Sequence, residues 1–423
     1  MMTPAPVSSD DELVPATVTE MSRLLQDNVG GPRRPLLPVG GRTGLGFGFP
    51  VIENTLSVST ARLDSLIDFP ARDMTVTVEA GRRVNMLQAE LAEEGLRLPV
   101  DVAHSHRATI GGAIAANTAG PRRFGHGTLR DYVIGIRCVT ATGQAFSAGG
   151  RVVKNVAGYD LCKLMVGSHG SLGVISEVTL KLRPQPVKTL VSWSVIEDSA
   201  RAKAVLERLV TSAARPVAVD LLGETAAGEV AAEAHQVKPL GRMVLCLVVE
   251  GNEAEVQWQA DILDQELGVL GVTNSQWADG EAAKRLLGAL TDFAHGLDVP
   301  LTFRASLPPS RVVVFCEAAM DLGMAVQAHA GNGVIVGYLS DETRDAAAAD
   351  RLLTPLRETA EASGGQLVID RCETGWHECL QLWGCRRGDW ELMQSVKDQL
   401  DPEGLLCPGR GVGRVLSQLS GSV

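Results

Sequence analysis

One glycine-rich stretch, Pro38–Gly46, limits most strongly how this chain can fold. It carries four glycines in nine residues and follows a short apolar segment. Glycine lets the backbone adopt positive φ and approach a ligand without an intervening Cβ. Successive N–H groups in such a turn can converge on an anion such as a diphosphate. The spacing fits neither the dinucleotide fingerprint nor the P-loop, since no lysine follows. Two interpretations stay open here, namely a turn between strands and a phosphate-binding loop in another kind of fold.

The composition is that of an ordinary globular protein with several domains. The chain has 423 residues, 45% of them hydrophobic, and a formal net charge of -11. That length allows two or three domains, and the negative charge argues against a nucleic-acid groove. The first dozen residues lack a signal-peptide pattern, and the apolar run Met243–Val249 is too short to span a bilayer. The eight scattered cysteines are expected to be reduced and mostly buried, which favours the cytoplasm.

Residues 13–186 alternate between helix and strand patterns. A helix is predicted over Pro15–Asn28, with Thr17 and Glu20 at capping-box spacing. Strands are predicted over Val51–Val58, Met74–Glu79 and Ser176–Arg183, the last with one solvent-facing side, and a helix between Val84 and Gly95. Prolines 184 and 186 then break the pattern and mark a domain boundary.

A second segment, Thr109–Gly120, is almost free of bulky side chains. Small residues over this length let a flat, extended ligand lie against the backbone, so we expect a loop, with a packed Ala/Gly helix as the alternative. Beyond it, Gly125, Arg130 and Asp131 lie among residues that offer groups to a phosphate or a polar ring edge. Scattered surface arginines are the competing interpretation.

A third glycine-bearing segment includes residues 153–160 and continues through Gly167–Ile175. With Pro38–Gly44 and Thr109–Gly120, it resembles the FAD-binding domain of the vanillyl-alcohol-oxidase (PCMH-type) family. Within that family, Arg151–Pro186 is similar to the FAD-binding subunit of the glycolate oxidase complex. The resemblance is strong over Pro35–Pro186 and continues, more thinly, to the C-terminus.

The resemblance implies an α+β chain, with a two-subdomain PCMH-type FAD-binding domain followed by a cap domain of antiparallel sheet plus helices. The expected divisions are a disordered tail at 1–12, the FAD-binding domain at 13–186, the cap at 187–395 and a C-terminal segment at 396–423. The closing motif Asp401–Arg410 resembles the family segment that returns to the FAD-binding domain.

The family also implies which residues contact FAD. The pyrophosphate would lie in the first loop, at Pro38, Val39, Gly40, Gly41, Arg42, Thr43 and Gly44. Thr109, Gly111 and Gly112 would follow the ribityl chain and pyrophosphate, and Gly173, Val174 and Ile175 would meet the adenosine half. Further contacts are expected at Asn117, Gly125, Arg130, Asp131 and Gly170. Some relatives bind the flavin covalently through a histidine in the first loop. None lies between Pro38 and Pro50, so we expect non-covalent FAD.

The second half of the chain alternates strands with amphipathic helices. Strands are predicted at Leu190–Ile196, Arg242–Glu250 and Leu301–Leu307, with helices on one face of an antiparallel sheet. A hairpin is predicted where Ala325–His329 and Val334–Tyr338 flank the pair Asn332 and Gly333.

The hairpin differs from the catalytic relatives of the family. Those relatives carry His-x-Gly-Asp-Gly-x-x-His there, with further His and Glu residues downstream that suggest a metal site. Here His329 is kept, but Asn332 and Val336 replace the acid and the second histidine. One histidine without these partners is a poor metal site, so we expect no metal. Arg304 and His329 remain the catalytic candidates, Arg304 as a carboxylate ligand or as a surface-paired strand residue.

Cysteine and tryptophan spacing suggests two weaker hypotheses. Cys372, Cys379, Cys385 and Cys407 lack any C-x-x-C, which disfavours an iron–sulfur cluster. Three tryptophans, at 376, 383 and 390, recur every seven residues. They would share one face if the stretch were helical, in the core or against a partner.

Three functions follow from the resemblance. The first is a glycolate-oxidase FAD-binding subunit that relays electrons between a catalytic flavoprotein subunit and an iron–sulfur subunit, with glycolate or D-lactate as substrate. The second is a self-sufficient FAD-dependent 2-hydroxy-acid dehydrogenase, and the third is an assembly subunit with structural FAD. All three predict a cytoplasmic protein without nucleic acid or a transmembrane segment; the complex could attach it to the inner membrane.

Overall fold

The computed structural model describes residues 11–118, 120–150, 159–295, 298–340 and 342–411. Residues 1–10 of the predicted tail, 153–158 of the third glycine segment and 412–423 of the C-terminal segment lie outside this range. The described chain forms two compact units. Unit 1 contains residues 11–118, 128–150, 159–185 and 386–411, and unit 2 contains residues 120–127 together with the described part of 186–385.

Unit 1 contains two main sheets. The first is parallel, in the order β1-β3-β2, with strands β1 (Glu12–Leu13), β2 (Leu36–Val39) and β3 (Leu56–Ser59). The second is antiparallel, in the order β4-β5-β9-β7-β8, with strands β4 (Leu66–Asp68), β5 (Thr75–Glu79), β7 (Val133–Val139), β8 (Ala145–Gly149) and β9 (Val174–Lys181). A short pair joins β6 (Leu96–Arg97) to β10 (Arg183–Pro184). Glu12, predicted to end the tail, belongs to β1.

Four of the six α-helices that the structure describes in unit 1 begin at a capping side chain. The six are α1 (Val18–Gly30), α2 (Val84–Glu93), α3 (Ile110–Ala116), α5 (Leu129–Tyr132), α6 (Leu161–Met165) and α13 (Trp390–Leu400). Of these described helices, α2 and α13 begin without such a side chain. Thr17 caps α1, because its side chain accepts a hydrogen bond from the Glu20 amide. The Glu20 carboxylate accepts from Ala16 N instead of completing the predicted box with Thr17 N. Met21 and Leu25 of α1 share a core with Leu36, Val58 and Val174.

The C-terminal segment extends the parallel sheet of unit 1. Leu36 N donates to Leu405 O at 2.7 Å, and Cys407 N donates to Leu36 O at 2.8 Å. These bonds place Leu406 beside β2 as one further parallel bridge. The chain rejoins unit 1 at Arg386, ten residues before the expected boundary at 396.

Unit 2 is built on one antiparallel sheet of eight strands, in the order β14-β11-β13-β12-β16-β17-β15-β18. The strands are β11 (Lys188–Ile196), β12 (Ala218–Gly223), β13 (Met243–Gly251), β14 (Gln276–Ala278), β15 (Leu301–Ser306), β16 (Ala325–His329), β17 (Val334–Leu339) and β18 (Gln366–Cys372). The predicted hairpin is confirmed: β16 pairs with β17, and Gly333 in its turn has φ of 73°.

Helices cover both faces of this sheet. They are α4 (Arg123–His126), α7 (Ser199–Val210), α8 (Glu224–Glu233), α9 (Glu253–Val269), α10 (Gly280–Asp292), α11 (Val312–Asp321) and α12 (Ala346–Ala362). On one face, α8 and α10 pack on Val191, Cys246 and Leu222. Strand β13 is buried at eight consecutive positions. Since successive residues of a strand point to opposite faces, the expectation of helices on one face only is wrong.

Three other local predictions are also wrong. Only Leu56–Ser59 of the run beginning at Val51 is a strand. Strand β9 keeps only part of its predicted solvent-facing side: Glu177 and Lys181 are half-buried, but Thr179 between them is buried and bonded to Thr77 at 3.0 Å. The tryptophans do not share a helix face, since α13 begins only at Trp390.

Candidate functional site

The first and second glycine segments meet inside unit 1. A Cβ at Gly40 would collide with the side chain of Thr109. A Cβ at Gly41 would lie 2.6 Å from the carbonyl carbon of Arg107 and 3.0 Å from Ala108 Cα. Both distances are too short for any larger residue. These two glycines are therefore required by the close approach of one segment to the other.

The second segment is a short helix rather than the expected loop. Thr109 caps α3, with its Oγ1 accepting from Gly112 N at 3.2 Å. Gly111 packs on Ala80, where an added Cβ would lie 2.6 Å from the alanine Cβ. Small residues thus serve close packing at the start of α3, and they leave a helix N-terminus beside the Gly40 turn. The first amides of α3 are already bonded within unit 1: Ile110 N donates to Arg82 O and Gly111 N to Ala80 O, both at 2.8 Å.

The third segment packs on the first. Gly170 has φ of 74°, and a Cβ there would lie 3.1 Å from the ring of Pro38. Asn117 ends α3 in the left-handed conformation, with φ of 50°. Its Oδ1 and the Oγ of Ser168 are buried and have no hydrogen-bond partner among the described residues. Unsatisfied buried oxygens are rare in proteins. A bound polar ligand between these segments would satisfy them.

The remaining predicted contacts of the third segment lie at the start of β9. Gly173 precedes it, and Val174 and Ile175 are both buried, paired with Val139 and Cys138 of β7. Because these residues pair with β7, only backbone groups that are not used in the β7–β9 ladder could contact a ligand. Contact of this end with the adenosine half of FAD stays a prediction.

Three predicted contacts have structural partners of their own. Gly125 lies in unit 2, and a Cβ there would be 2.7 Å from Val217 Cα, which explains the glycine. Arg130 Nη1 donates to Lys163 O at 2.8 Å. Asp131 accepts from Thr128 N at 2.9 Å and so caps α5. Nothing in these contacts requires FAD, so a ligand role for them stays a prediction.

The tip of the first loop is open. Arg42, with φ of 58°, pairs with Glu12 at 2.7 Å, and Thr43 is exposed. A Cβ added at Gly44 would meet nothing within 4 Å. The tip is therefore exposed and has no steric cover at Gly44, in contrast to the tightly packed Gly40 and Gly41.

Unit 2 holds a buried polar cluster on one face of its sheet. His329 Nδ1 lies 3.0 Å from both carboxylate oxygens of Asp220, its cross-strand neighbour. Gln327 Nε2 donates to Asp220 at 2.6 Å and to Leu290 O at 3.1 Å. Asp220 and Gln327 are fully buried, and His329 is 4% exposed. Our sequence reasoning missed Asp220, although a carboxylate inside an apolar strand was a readable signal.

Arg304 lies on the same sheet face as this cluster. It stands opposite Val336, which in turn stands opposite Gln327, and directly opposed residues in antiparallel strands share a face. Arg304 Nη2 lies 3.3 Å from Asp370 Oδ1, with both side chains about 30% exposed. Within the described ranges, no group of three or more His, Cys, Asp and Glu side chains could hold a metal ion.

A second buried ion cluster was also missed. Glu250, at the end of β13, accepts from Arg122 Nη1 at 2.8 Å and lies 2.8 Å from His126 Nε2. Only 3% of the Glu250 side chain is exposed. In the hairpin turn, a Cβ at Gly331 would collide with Phe124. Residues 120–127 are therefore firmly fixed in unit 2 by charge and packing.

The cysteines are all free, as expected for a reduced protein, and five of the eight are buried. Burial raises the pKa of the Cys372 thiol to about 12. Cys379 and Cys385 are exposed, and Cys385 Sγ lies 2.7 Å from Glu361 Oε1. A neighbouring carboxylate disfavours the thiolate that a metal cluster needs.

Comparison with solved structures identifies the fold. The chain matches the crystal structure of p-cresol methylhydroxylase with substrate bound, with a TM-score of 0.71 at 16% identity, covering 94% of this chain and 88% of that one. The chain has a PCMH-type FAD-binding fold. Residues 13–149 of this fold match a family described as FAD binding domain. FAD is the cofactor of this domain.

Two relatives match the PCMH-type chain in different ways. D-2-hydroxyglutarate dehydrogenase of Xanthomonas citri pv. viticola is 29% identical over 410 residues, which cover 89% of this chain and 83% of the relative. Glycolate oxidase subunit GlcE of Escherichia coli (strain K12) is 38% identical, but over 159 residues, 37% of this chain and 45% of GlcE. The first similarity spans nearly the whole chain, while the second is local and has the higher sequence identity.

The residues of unit 1 fit FAD. The exposed tip from Arg42 to Gly44 leaves room for a diphosphate against the loop backbone. Asn117 and Ser168 supply the buried oxygens without partners that a polar ligand can satisfy. Within the described part of the chain, no helix is long and apolar enough to cross a membrane.

Proposed function

We propose that this chain is the FAD-binding subunit of a glycolate-oxidase-type complex. Its flavin relays electrons from a catalytic flavoprotein subunit, where glycolate or D-lactate is oxidised, to an iron–sulfur subunit. FAD is held without a covalent bond, since the first loop lacks a histidine. The chain is cytoplasmic, and the complex attaches it to the inner membrane.

The observation that carries this proposal is the composition of the polar sheet face in unit 2. Val336 lies between Gln327 and Arg304 on that face. In the catalytic members of the family that this sequence resembles, the second histidine of the hairpin motif stands at this position. An apolar side chain there supports loss of the metal-dependent step, while unit 1 keeps the groups that fit FAD. The local match to GlcE supports the same assignment.

The chain is an FAD-dependent oxidoreductase that acts on CH–OH donors. When bound, FAD supplies the acceptor for the hydride of such a donor. The chain's own residues hold the pyrophosphate at Gly40–Gly44, and Gly170 packs on Pro38 at the start of that loop. Glycine at 40 and 41 lets the same loop pack directly against Thr109 and Arg107.

A second candidate is a self-sufficient 2-hydroxy-acid dehydrogenase. The His329–Asp220 pair favours it, because a carboxylate that accepts from Nδ1–H leaves Nε2 as the proton acceptor. Arg304 would bind the substrate carboxylate, with Asp370 fixing the direction of its guanidinium. Relatedness to D-2-hydroxyglutarate dehydrogenase over nearly the whole chain supports this candidate as well.

The sheet register makes this arrangement geometrically reasonable. Arg304 is two strands and one two-residue step away from His329 on one face. With strands about 4.8 Å apart and about 3.4 Å per residue, their Cα atoms are separated by roughly 12 Å. Because the arginine and histidine side chains both extend from these Cα atoms, the distance between guanidinium and imidazole is smaller and can match a small 2-hydroxy acid.

Anaerobic mixing tests the two candidates. The purified chain should carry FAD, and glycolate or D-lactate alone should leave its absorption band unchanged. Adding the catalytic subunit should then bleach the band. Bleaching of the isolated chain would reject the relay and support the second candidate. If the FAD band does not bleach even with the catalytic subunit present, the remaining interpretation is an assembly subunit in which FAD is structural. A colourless chain, unable to take up FAD, would reject all three.

A further inference from the structure

The end of the flavin loop is held by an arginine from the C-terminal segment. Arg410 Nη2 donates to the carbonyls of Leu45, at 2.8 Å, and Phe47, at 2.5 Å. Arg410 is half-buried, and burial lowers the pKa of its guanidinium below its usual value. Such a group keeps its charge because arginine begins so far above neutral pH.

The segment that carries Arg410 is itself firmly anchored. Lys397 Nζ donates to Ser171 O at 2.7 Å and Leu406 O at 2.8 Å, and it pairs with the Asp401 carboxylate. Asp401 is 2% exposed and also accepts from Leu406 N at 2.7 Å. With the backbone bonds of Cys407 to β2, these contacts fix the base from which Arg410 extends.

The flavin loop and the C-terminal segment both contact the third glycine segment. The Phe47 ring stacks on the His169 ring, with centroids 4.0 Å apart and an interplanar angle of 6°. Cys407 Sγ lies 3.6 Å from His169 O. The chain from Lys397 to Arg410 therefore connects the two ends of the predicted flavin site, although no residue in it belongs to the predicted FAD contacts.

We propose that Arg410 is a positioning residue for FAD: its two hydrogen bonds hold the loop after Gly44 in the binding conformation. The stretch from Gly40 to Gly48 contains five glycines. Without a restraint, FAD would have to order this loop on binding, and affinity would fall by that cost. This inference rests on the FAD site of the proposed function, and it adds a remote determinant of flavin retention.

The test compares full-length variants in the FAD-free and FAD-bound states. Arg410→Gln removes the charge and the forked donor. Arg410→Lys keeps the charge and can restore one bond. Arg33→Gln is the matched control, since it breaks an exposed ion pair to Glu403 of the same segment without touching the loop. FAD dissociation constants are measured by flavin fluorescence, and thermal unfolding is followed for the FAD-free chain.

We expect Arg410→Gln to raise the FAD dissociation constant by about tenfold or more, Arg410→Lys by less, and Arg33→Gln to leave it unchanged. An unchanged constant in Arg410→Gln would overturn the inference, even if the FAD-free variant unfolds at a lower temperature, since that would be a purely structural role. If Arg410→Gln does not fold, Arg410→Lys takes its place in the test. A wild-type FAD dissociation constant and a wild-type rate of FAD release in Arg410→Lys would then overturn the inference. A wild-type chain that binds no FAD would instead reject the proposed function.

Discussion

Gly41→Ala is the substitution that most directly tests the flavin loop. Its added methyl would lie 2.6 Å from the carbonyl carbon of Arg107 and 3.0 Å from Ala108 Cα. Non-bonded carbons approach to about 3.5 Å, so one segment must move by at least roughly 0.9 Å, and the still closer collision with Arg107 O requires more. Both neighbours are backbone atoms, which cannot rotate away as a flexible side chain would. The loop and the start of α3 must therefore separate.

The size of the effect follows from that displacement. Overpacking of this kind costs about 1–3 kcal/mol, which lowers the unfolding midpoint by about 2–4 °C per kcal/mol in a domain of 150–250 residues. Binding suffers separately, because a loop moved by nearly 1 Å loses hydrogen bonds to a charged phosphate. Each such bond contributes about 1.5–3 kcal/mol. One lost bond therefore raises the FAD dissociation constant by about tenfold to a hundredfold.

The assay is the flavin-to-protein ratio after gel filtration, followed by FAD titration of the FAD-free chain. Gly44→Ala is the control, because its methyl meets nothing within 4 Å and Gly44 is not among the positive-φ glycines. It should retain FAD at the wild-type level. If Gly41→Ala also retains FAD with an unchanged dissociation constant, the contact between the first two glycine segments does not form part of the flavin site.

Three further substitutions test other parts of the chain. Gly44→Asp places a carboxylate at the open loop tip and should weaken FAD binding at least tenfold relative to Gly44→Ala through like-charge repulsion; equal affinity of the two variants would refute the pyrophosphate placement. Asp220→Asn turns an amide toward His329 or Gln327, both donors, and should lower the free energy of unfolding by about 1–3 kcal/mol in urea titrations; wild-type stability would argue against the buried cluster. Burial raises the pKa of Glu229, to which the Tyr338 hydroxyl donates, above its usual 4.5. The folded chain therefore binds this proton more tightly, and the associated stability is complete below pH 4.5 and is lost as pH rises through the raised folded pKa. Glu229→Gln should flatten that part of the pH–stability curve, whereas an unchanged slope would exclude this carboxyl as its source.

Local patterns in the sequence predicted those elements whose partners lie nearby in the chain. The cap at Thr17 and the hairpin around Gly333 depend on residues within a few positions, so their signals survive folding. The alternation in Met74–Glu79 likewise predicted β5 to within one residue. The glycine segments were predicted to approach a ligand, which stays a prediction; in the fold, Gly41 and Gly111 lie against neighbouring protein atoms.

Elements decided by tertiary contacts were not predictable in the same way. Thr109–Gly120 reads as a loop because Gly111 and Gly112 disfavour helix locally. In the fold, however, Ala80 presses on Gly111 and leaves room for nothing larger. Asp220 and His329 are 109 residues apart in the chain, so only the register between β12 and β16 reveals their pairing.

That pairing bears on whether this chain oxidises substrate or only relays electrons. Burying a carboxylate is costly unless several donors satisfy it, and Asp220 has donors from both His329 and Gln327. Gln327 alone would leave Asp220 Oδ1 unsatisfied, and His329 alone would share one ring nitrogen between two oxygens, so both partners stabilise the buried carboxylate. A cluster kept only for stability should tolerate His329→Gln with no effect beyond stability, because glutamine can still donate to Asp220. A proton acceptor cannot be replaced in that way. Flavin reduction of His329→Gln at the wild-type rate, measured with the catalytic subunit and glycolate or D-lactate present, would therefore assign the histidine to structure, as the relay expects.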